Sequence, residues 1–131
     1  MRYEYLTHTA DAKFKAYGRN DSEKFENCAY AMFGIIVNPK EVKPVKEISI
    51  EVEAKNLRGL LYDFLDELLY YHDVEDFVLN KVLSIEVKDN NVKATVVGDS
   101  YKNYETHGHI KAITYNDFEY ADDHVIMVMD L

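Results

Sequence analysis

The segment HVIMVMD, residues 124–130, constrains this sequence more than any other. Residues 125–129 place apolar side chains on both faces of an extended chain. A strand with one wet face alternates apolar with polar residues, whereas a strand covered on both faces reads as a continuous apolar run. The closing strand therefore belongs in the middle of a sheet, held rather than frayed. Other strands must flank it on both sides, and the sequence supplies them. The length of 131 residues fits one domain, 1–131, since domains run to roughly 100–150 residues.

Residues 2–6 (RYEYL) and 12–17 (AKFKAY) read as strands on either side of His8-Thr9-Ala10-Asp11. Asn20-Asp21-Ser22 is a helix-start signal. Phe25, Cys28, Ala29, Met32, Phe33 and Ile36 then recur at helical spacing and predict one face on a core. Asn38-Pro39 stops that helix. Ile48, Ile50, Val52 and Ala54 alternate with polar residues, a half-wet strand. Asn56 caps a second helix, whose stripe runs Leu57, Leu60, Leu61, Phe64, Leu65, Leu68, Leu69. Residues 77–88 form a strand with Leu83, Ile85 and Val87 on one face. Asp89-Asn90-Asn91 turns the chain, because Asn and Asp tolerate positive φ. Residues 92–96 return, and 110–115 (IKAITY) add a further strand. The order ββαβαββββ predicts an α+β domain with two amphipathic helices packed on a mixed β-sheet.

Composition excludes several functions. The net charge is −9, from 15 Lys and Arg against 24 Asp and Glu. Binding to the nucleic-acid backbone rests on clustered cations, so no direct nucleic-acid contact is expected, and no anionic membrane surface. Cys28 is the only cysteine, so there is no disulfide and no cysteine zinc cage. It lies on the apolar stripe of the first helix and reads as inert core. Without a membrane-length apolar run or a leader-like apolar N-terminus, the chain is expected to be cytoplasmic.

The residues capable of chemistry are few. Asp130 follows a strand expected to be buried, and a carboxylate buried alone is costly. If Asp11 lies beside it, the two side chains and the carboxylate of Leu131 converge, and Ca²⁺ or Mg²⁺ relieves their repulsion. Alternatively Asp11 caps a turn and Asp130 sits in water. His8, His72, His107, His109 and His124 show no zinc spacing. Exposed loop histidines are the commoner outcome for such residues. No activated nucleophile, P-loop or dinucleotide turn is present. Lys111 is the last basic residue; Asp117, Glu119, Asp122, Asp123 and Asp130 follow it. Asp63, Asp66, Glu67, Asp73, Glu75 and Asp76 form a second acidic stretch. Both are either solvated faces or a docking surface for a basic partner.

These residues resemble the archease family. The resemblance is carried by His8-Thr9-Ala10-Asp11, by the acidic Leu-rich segment LLYDFLDELLY (60–70), by Gly98-Asp99, and by Lys111-Ala112-Ile113-Thr114-Tyr115 before the closing Asp130-Leu131. It covers nearly the whole chain. It implies an accessory protein, not an enzyme, of the RtcB-type RNA ligase, which uses GTP and Mn²⁺ to seal tRNA exon halves. The accessory protein promotes guanylylation of the ligase and multiple turnover. The resemblance further implies Ca²⁺ at Asp11, Asp130 and Leu131, and a role in activation for Lys111. His8 lies within the signature, without an assigned role. Gly98-Asp99 stands where the family commonly has Gly-Glu, and Asp66 where Asn is more usual.

Two other classes stay open. A chaperone-like module for RNA-processing proteins predicts an exposed apolar patch and activity indifferent to Asp130. A small metal-dependent phosphohydrolase predicts phosphoester turnover by the isolated chain.

Overall fold

A computed structural model describes residues 2–7 and 11–131. Strands β1 (Tyr3–Leu6) and β2 (Ala12–Tyr17) precede helix α1 (Asp21–Ile36). Strand β3 (Lys46–Glu53) and helix α2 (Leu57–Glu75) follow, then β4 (Phe77–Lys88), β5 (Asn91–Ser100), β6 (Ala112–Tyr120) and β7 (His124–Asp130). The expected order of strands and helices is therefore observed. The expected mixed sheet is instead two sheets, β1-β2-β7-β6 and β3-β5-β4, with every pairing antiparallel. Strand β7 lies between β2 and β6, as its two apolar faces require.

The helices lie between the sheets. Helix α1 packs on β1, β2 and β7 on one side and on β4 on the other; α2 packs on β3, β4, β5 and β6. Both start at an asparagine cap. The Asn20 side chain accepts from Glu23 N–H at 2.8 Å, and that of Asn56 from Gly59 N–H at 2.8 Å. Contact with two sheets buries α1 nearly all round and not on one face alone. Its second half, CAYAMFGII, carries no charge and suits that position. The polar groups drawn in with it are satisfied. Asn27 donates to the Tyr17 carbonyl at 2.6 Å, and the Lys24 ammonium lies 4.9 Å from the centre of the Tyr120 ring. Phe33 meets Phe77 edge-on at 5.9 Å, and Phe25 meets Phe64 at 5.8 Å, joining α1 to β4 and α2. Cys28 is fully buried in this core, which pushes its thiol pKa up and leaves it inert.

Two strands depart from simple alternation. In β4 the register slips between Leu79 and Lys81 and again between Val82 and Ser84. The second slip makes Leu83 the extra residue of a bulge. Val82 turns inward in its place and Leu83 is 50% exposed, although Ile85 and Val87 face the core as expected. In β6 the pairing jumps from Thr114 to Glu119, with Asp117 at φ 52°, and then resumes to Tyr120. The strand therefore runs past the expected end at Tyr115. The turn at Asp89-Asn90, with both residues at positive φ, is as expected. Among the described residues no helix is long and apolar enough to cross a membrane.

Gly98 pairs with Leu79 in the middle of the second sheet, and a Cβ there would lie 1.9 Å from the Val78 carbonyl oxygen. Gly98→Ala therefore forces β4 and β5 apart. Chemical denaturation is expected to show a loss of about 1–3 kcal/mol, the usual cost of overpacking; unchanged stability would contradict this packing.

Candidate functional site at the end of the first sheet

Strand register determines which residues meet. Strand β2 pairs with β7 so that Ala12 faces Met129 and Phe14 faces Met127. Carried one residue outward, the same ladder sets Asp11 opposite Asp130. On the other side of β7, Ala112 pairs with Asp130, and the Lys111 N–H donates to the Asp130 carbonyl at 2.8 Å. Asp11, Lys111, Asp130 and Leu131 thus reach one end of one sheet from three separate parts of the chain.

Residues paired across an antiparallel ladder point to the same face. Phe14, Ala16, Met127 and Met129 face the helices and are buried. Lys13 and Val128, paired in the same ladder, belong to the opposite face, as do Asp11 and Asp130 by extension. On that face Lys13 reaches Asp117 at 3.5 Å.

Burial ends at Met129, and Asp130 is exposed. The strand before Asp130 is buried as expected, and of the two readings left open for its side chain the exposed one is observed. No desolvation cost forces a partner on it, and register alone sets Asp11 opposite it. Among the described residues no three His, Cys, Asp or Glu side chains form a metal-sized group. The third donor implied by the resemblance is the carboxylate of Leu131, which is not a side chain. His8 lies outside the described residues.

The remaining histidines are spent elsewhere. His72 is buried, with Nδ1 2.8 Å from the Phe77 carbonyl. His124 lies between Asp123, at 2.6 Å, and Glu119, at 2.5 Å. His107 and His109 are exposed in the loop before β6.

Asp99, to which the sequence assigned no role, organises that loop. Its carboxylate accepts from the Tyr104 hydroxyl at 2.7 Å, from Ser100 N–H at 2.8 Å and from the Asn103 amide at 3.3 Å. The Tyr104 hydroxyl in turn accepts from Lys43 N–H at 2.9 Å. These bonds fix the start of the segment that delivers Lys111. The Tyr104 hydrogen bond, followed by that from Ser100 N–H, holds the Asp99 carboxyl below its ordinary pKa. An acid followed by Ser and Asn is an Asx-turn signal that a closer reading could have found.

The acidic stretch on α2 is a face. Asp63, Asp66, Tyr70, Asp73 and Val74 follow at helical spacing and are all exposed; Tyr70 is 54% and Val74 61% accessible. Tyr62 of the same helix stacks on exposed Tyr115 of β6 at 4.9 Å.

Comparison with known proteins gives the class of molecule to which this arrangement belongs. Residues 3–130 match the sequence profile of the archease protein family (MTH1598/TM1083), and the chain belongs to that family. It is a family of accessory proteins in RNA processing. The chain is 38% identical to protein archease of Methanosarcina barkeri over 124 residues, covering 90% of this chain and 85% of the relative. It is 39% identical to that of Pyrococcus furiosus over 123 residues, covering 90% and 87%. The fold matches the solution structure of Methanobacterium thermoautotrophicum protein 1598 with a TM-score of 0.80 and 31% identity, covering 99% of each chain.

Asp99 gives the loop a pH signature. A carboxyl depressed in the folded state stabilises above its unfolded pKa, ~4. That contribution is lost as pH falls through the lower folded value. Asp99→Asn is therefore expected to lower the urea midpoint at pH 7 and to converge on wild type as acidification protonates the folded-state carboxyl. A pH-independent gap would refute this role.

Proposed function

We propose that this protein activates a GTP-dependent RNA ligase of the RtcB type in tRNA splicing and RNA repair. It promotes guanylylation of the ligase and restores its multiple turnover. Family membership supports the accessory role. The observation that carries the finer reading is the register of β2, β7 and β6, which brings Asp11, Asp130 and Leu131 to the same sheet end as Lys111.

The donor set at that end is oxygen only, which suits a hard divalent cation, and Ca²⁺ is the ion proposed. Asp11, Asp130 and the Leu131 carboxylate are the residues to hold it. Bound there, the ion neutralises the gathered carboxylates and offers positive charge to a phosphate. Lys111 is exposed, and its backbone is tied to Asp130, so its ammonium group is presented from a fixed strand end. In this reading Lys111 and the carboxylates meet the ligase where nucleotide charge must be balanced during guanylyl transfer.

The acidic stripe of α2 supports a protein partner with a basic, RNA-holding cleft. Complementary charge speeds such encounters, and Tyr70 and Val74 supply apolar contact within the stripe. The partner is then the RNA enzyme and not the RNA, which is consistent with a chain of net charge −9. The reading places the protein in the cytoplasm beside its ligase.

Two measurements test this. In a ligase guanylylation assay, Asp130→Ala and Lys111→Ala are each expected to lose most of the stimulation while remaining folded. If both stimulate like wild type, the reading is wrong. In calcium titrations, Asp130→Ala and a chain extended by two glycines past Leu131 are expected to bind more weakly. The loss should be at least the ~10–100-fold that removal of an outer-shell partner costs.

A further inference from the structure

A cleft of about 520 Å³ opens beside the start of β1, lined in part by Arg2, Tyr30, Asn38, Lys40, Asn80 and Lys81. In a chain with a net charge of −9, three cations converge on it and no carboxylate lines it. Arg2 and Lys81 both act on the half-buried carboxyl of Glu26 on α1, which does not line the cleft. Among the described residues neither Lys40 nor Lys81 is held in a salt bridge.

The cleft is built by specific local structure. Asn80 and Lys81 are neighbours on β4, and a regular strand would point them to opposite faces. The register slip between Leu79 and Lys81 lets both line the cleft. A bulge that re-aims a side chain in this way is common beside functional sites. The Asn80 amide donates to the Pro39 carbonyl at 3.1 Å, and Tyr30 accepts from Val82 N–H at 2.9 Å. The Arg2 guanidinium lies 4.6 Å from the centre of the Tyr30 ring, so its direction is set before any ligand arrives. The Asn38 side-chain oxygen accepts from Lys40 N–H at 3.2 Å, and its amide N–H groups are left to donate.

A smaller hollow of about 220 Å³ shares Tyr3, Asn38 and Pro39 with the cleft and adds Tyr5, Gly34 and His107. Tyr5 is 48% exposed, yet its hydroxyl is anchored to the Ala31 carbonyl at 2.8 Å. Gly34 permits that approach: a Cβ there would lie 2.3 Å from the Tyr5 hydroxyl oxygen. Tyr3 meets Tyr5 edge-on at 5.6 Å and holds the ring further. The result is a fixed aromatic surface beside a cluster of cations.

This cleft is separate from the carboxylate end. Arg2 accepts from Tyr17 N–H at the far end of β2, six residues from Asp11, or roughly 20 Å along a strand.

We propose that the cleft binds a nucleoside phosphate, its phosphates among Arg2, Lys40 and Lys81 and its base against Tyr5. The volume lies within the ~300–1,000 Å³ of small-molecule sites. Charge-assisted bonds from a guanidinium and two ammonium groups suit a dianionic or more highly charged phosphate chain, and a planar base has a pinned ring on which to lie.

The test needs only the isolated protein, so it is independent of ligase activation. ATP, GTP, GMP, guanosine and pyrophosphate are titrated calorimetrically at physiological salt. The triphosphates are expected to bind, more weakly as salt rises, and guanosine is expected not to. Lys40→Ala/Lys81→Ala, both at exposed positions, is expected to weaken binding at least tenfold, and Tyr5→Leu several-fold. The proposal is overturned if the triphosphates do not bind, or if they bind the double variant as they bind wild type. Pyrophosphate binding as tight as that of the triphosphates, with Tyr5→Leu without effect, overturns the nucleoside assignment.

Discussion

The pairing of β7 on both edges is the constraint on which the rest of the structure depends. Its inward side chains, Val125, Met127 and Met129, are fully buried against the helix layer. Its backbone joins β2 to β6, and so joins the first strands of the chain to the last. A shift of one residue on either edge would turn an apolar face outward. The burial that holds β7 in register therefore also decides which charged residues stand at its end. Asp11, Asp130 and Lys111 reach the same sheet end because Phe14 and Ile113 are buried opposite Met127 and Met129. Core packing and the candidate site are one requirement.

The middle layer explains how a small chain supports two sheets. Helix α1 touches both, so a single helix supplies two interfaces, and its aromatic residues join them. Each polar group carried inward has a partner. Asn27 and His72 bond to backbone carbonyls, and Lys24 lies over Tyr120. The buried polar residues of α1 and α2, Lys24, Asn27 and His72, are thereby each retained with a partner.

Period and capping made most of the fold legible. Asn20, Asn56, the helical stripes and the two-faced apolar run at 125–129 identified their elements from residue spacing alone. Leu83 was misassigned because a bulge inserts one residue without disturbing the apparent alternation of Val82 to Val87. The length of β6 was missed because Asp117, at positive φ, reads as an ending. The division into two sheets depends on which strand edges meet, and periodicity does not record that. At the site, the residues were visible but their meeting was not, since it depends on register between strands from opposite ends of the chain. The exposure of Asp130 stayed open for a related reason: a strand buried to Met129 says nothing about the next residue. Arg2, Lys40 and Lys81 drew no attention in the sequence, because the bulge and the β1 pairing that gather them are tertiary.

The two irregularities of β4 also bear on self-association. This strand is an outer edge of its sheet, with Leu83 exposed upon it. A long straight edge of that kind invites a second molecule to add its own strand. Twice-broken spacing denies such a visitor a continuous row of backbone donors and acceptors. The opposite edge, β3, carries Lys46, Glu47, Glu51 and Glu53, charges that penalise stacking of like upon like. The chain can thus keep a high content of strand and remain guarded against edge-to-edge aggregation.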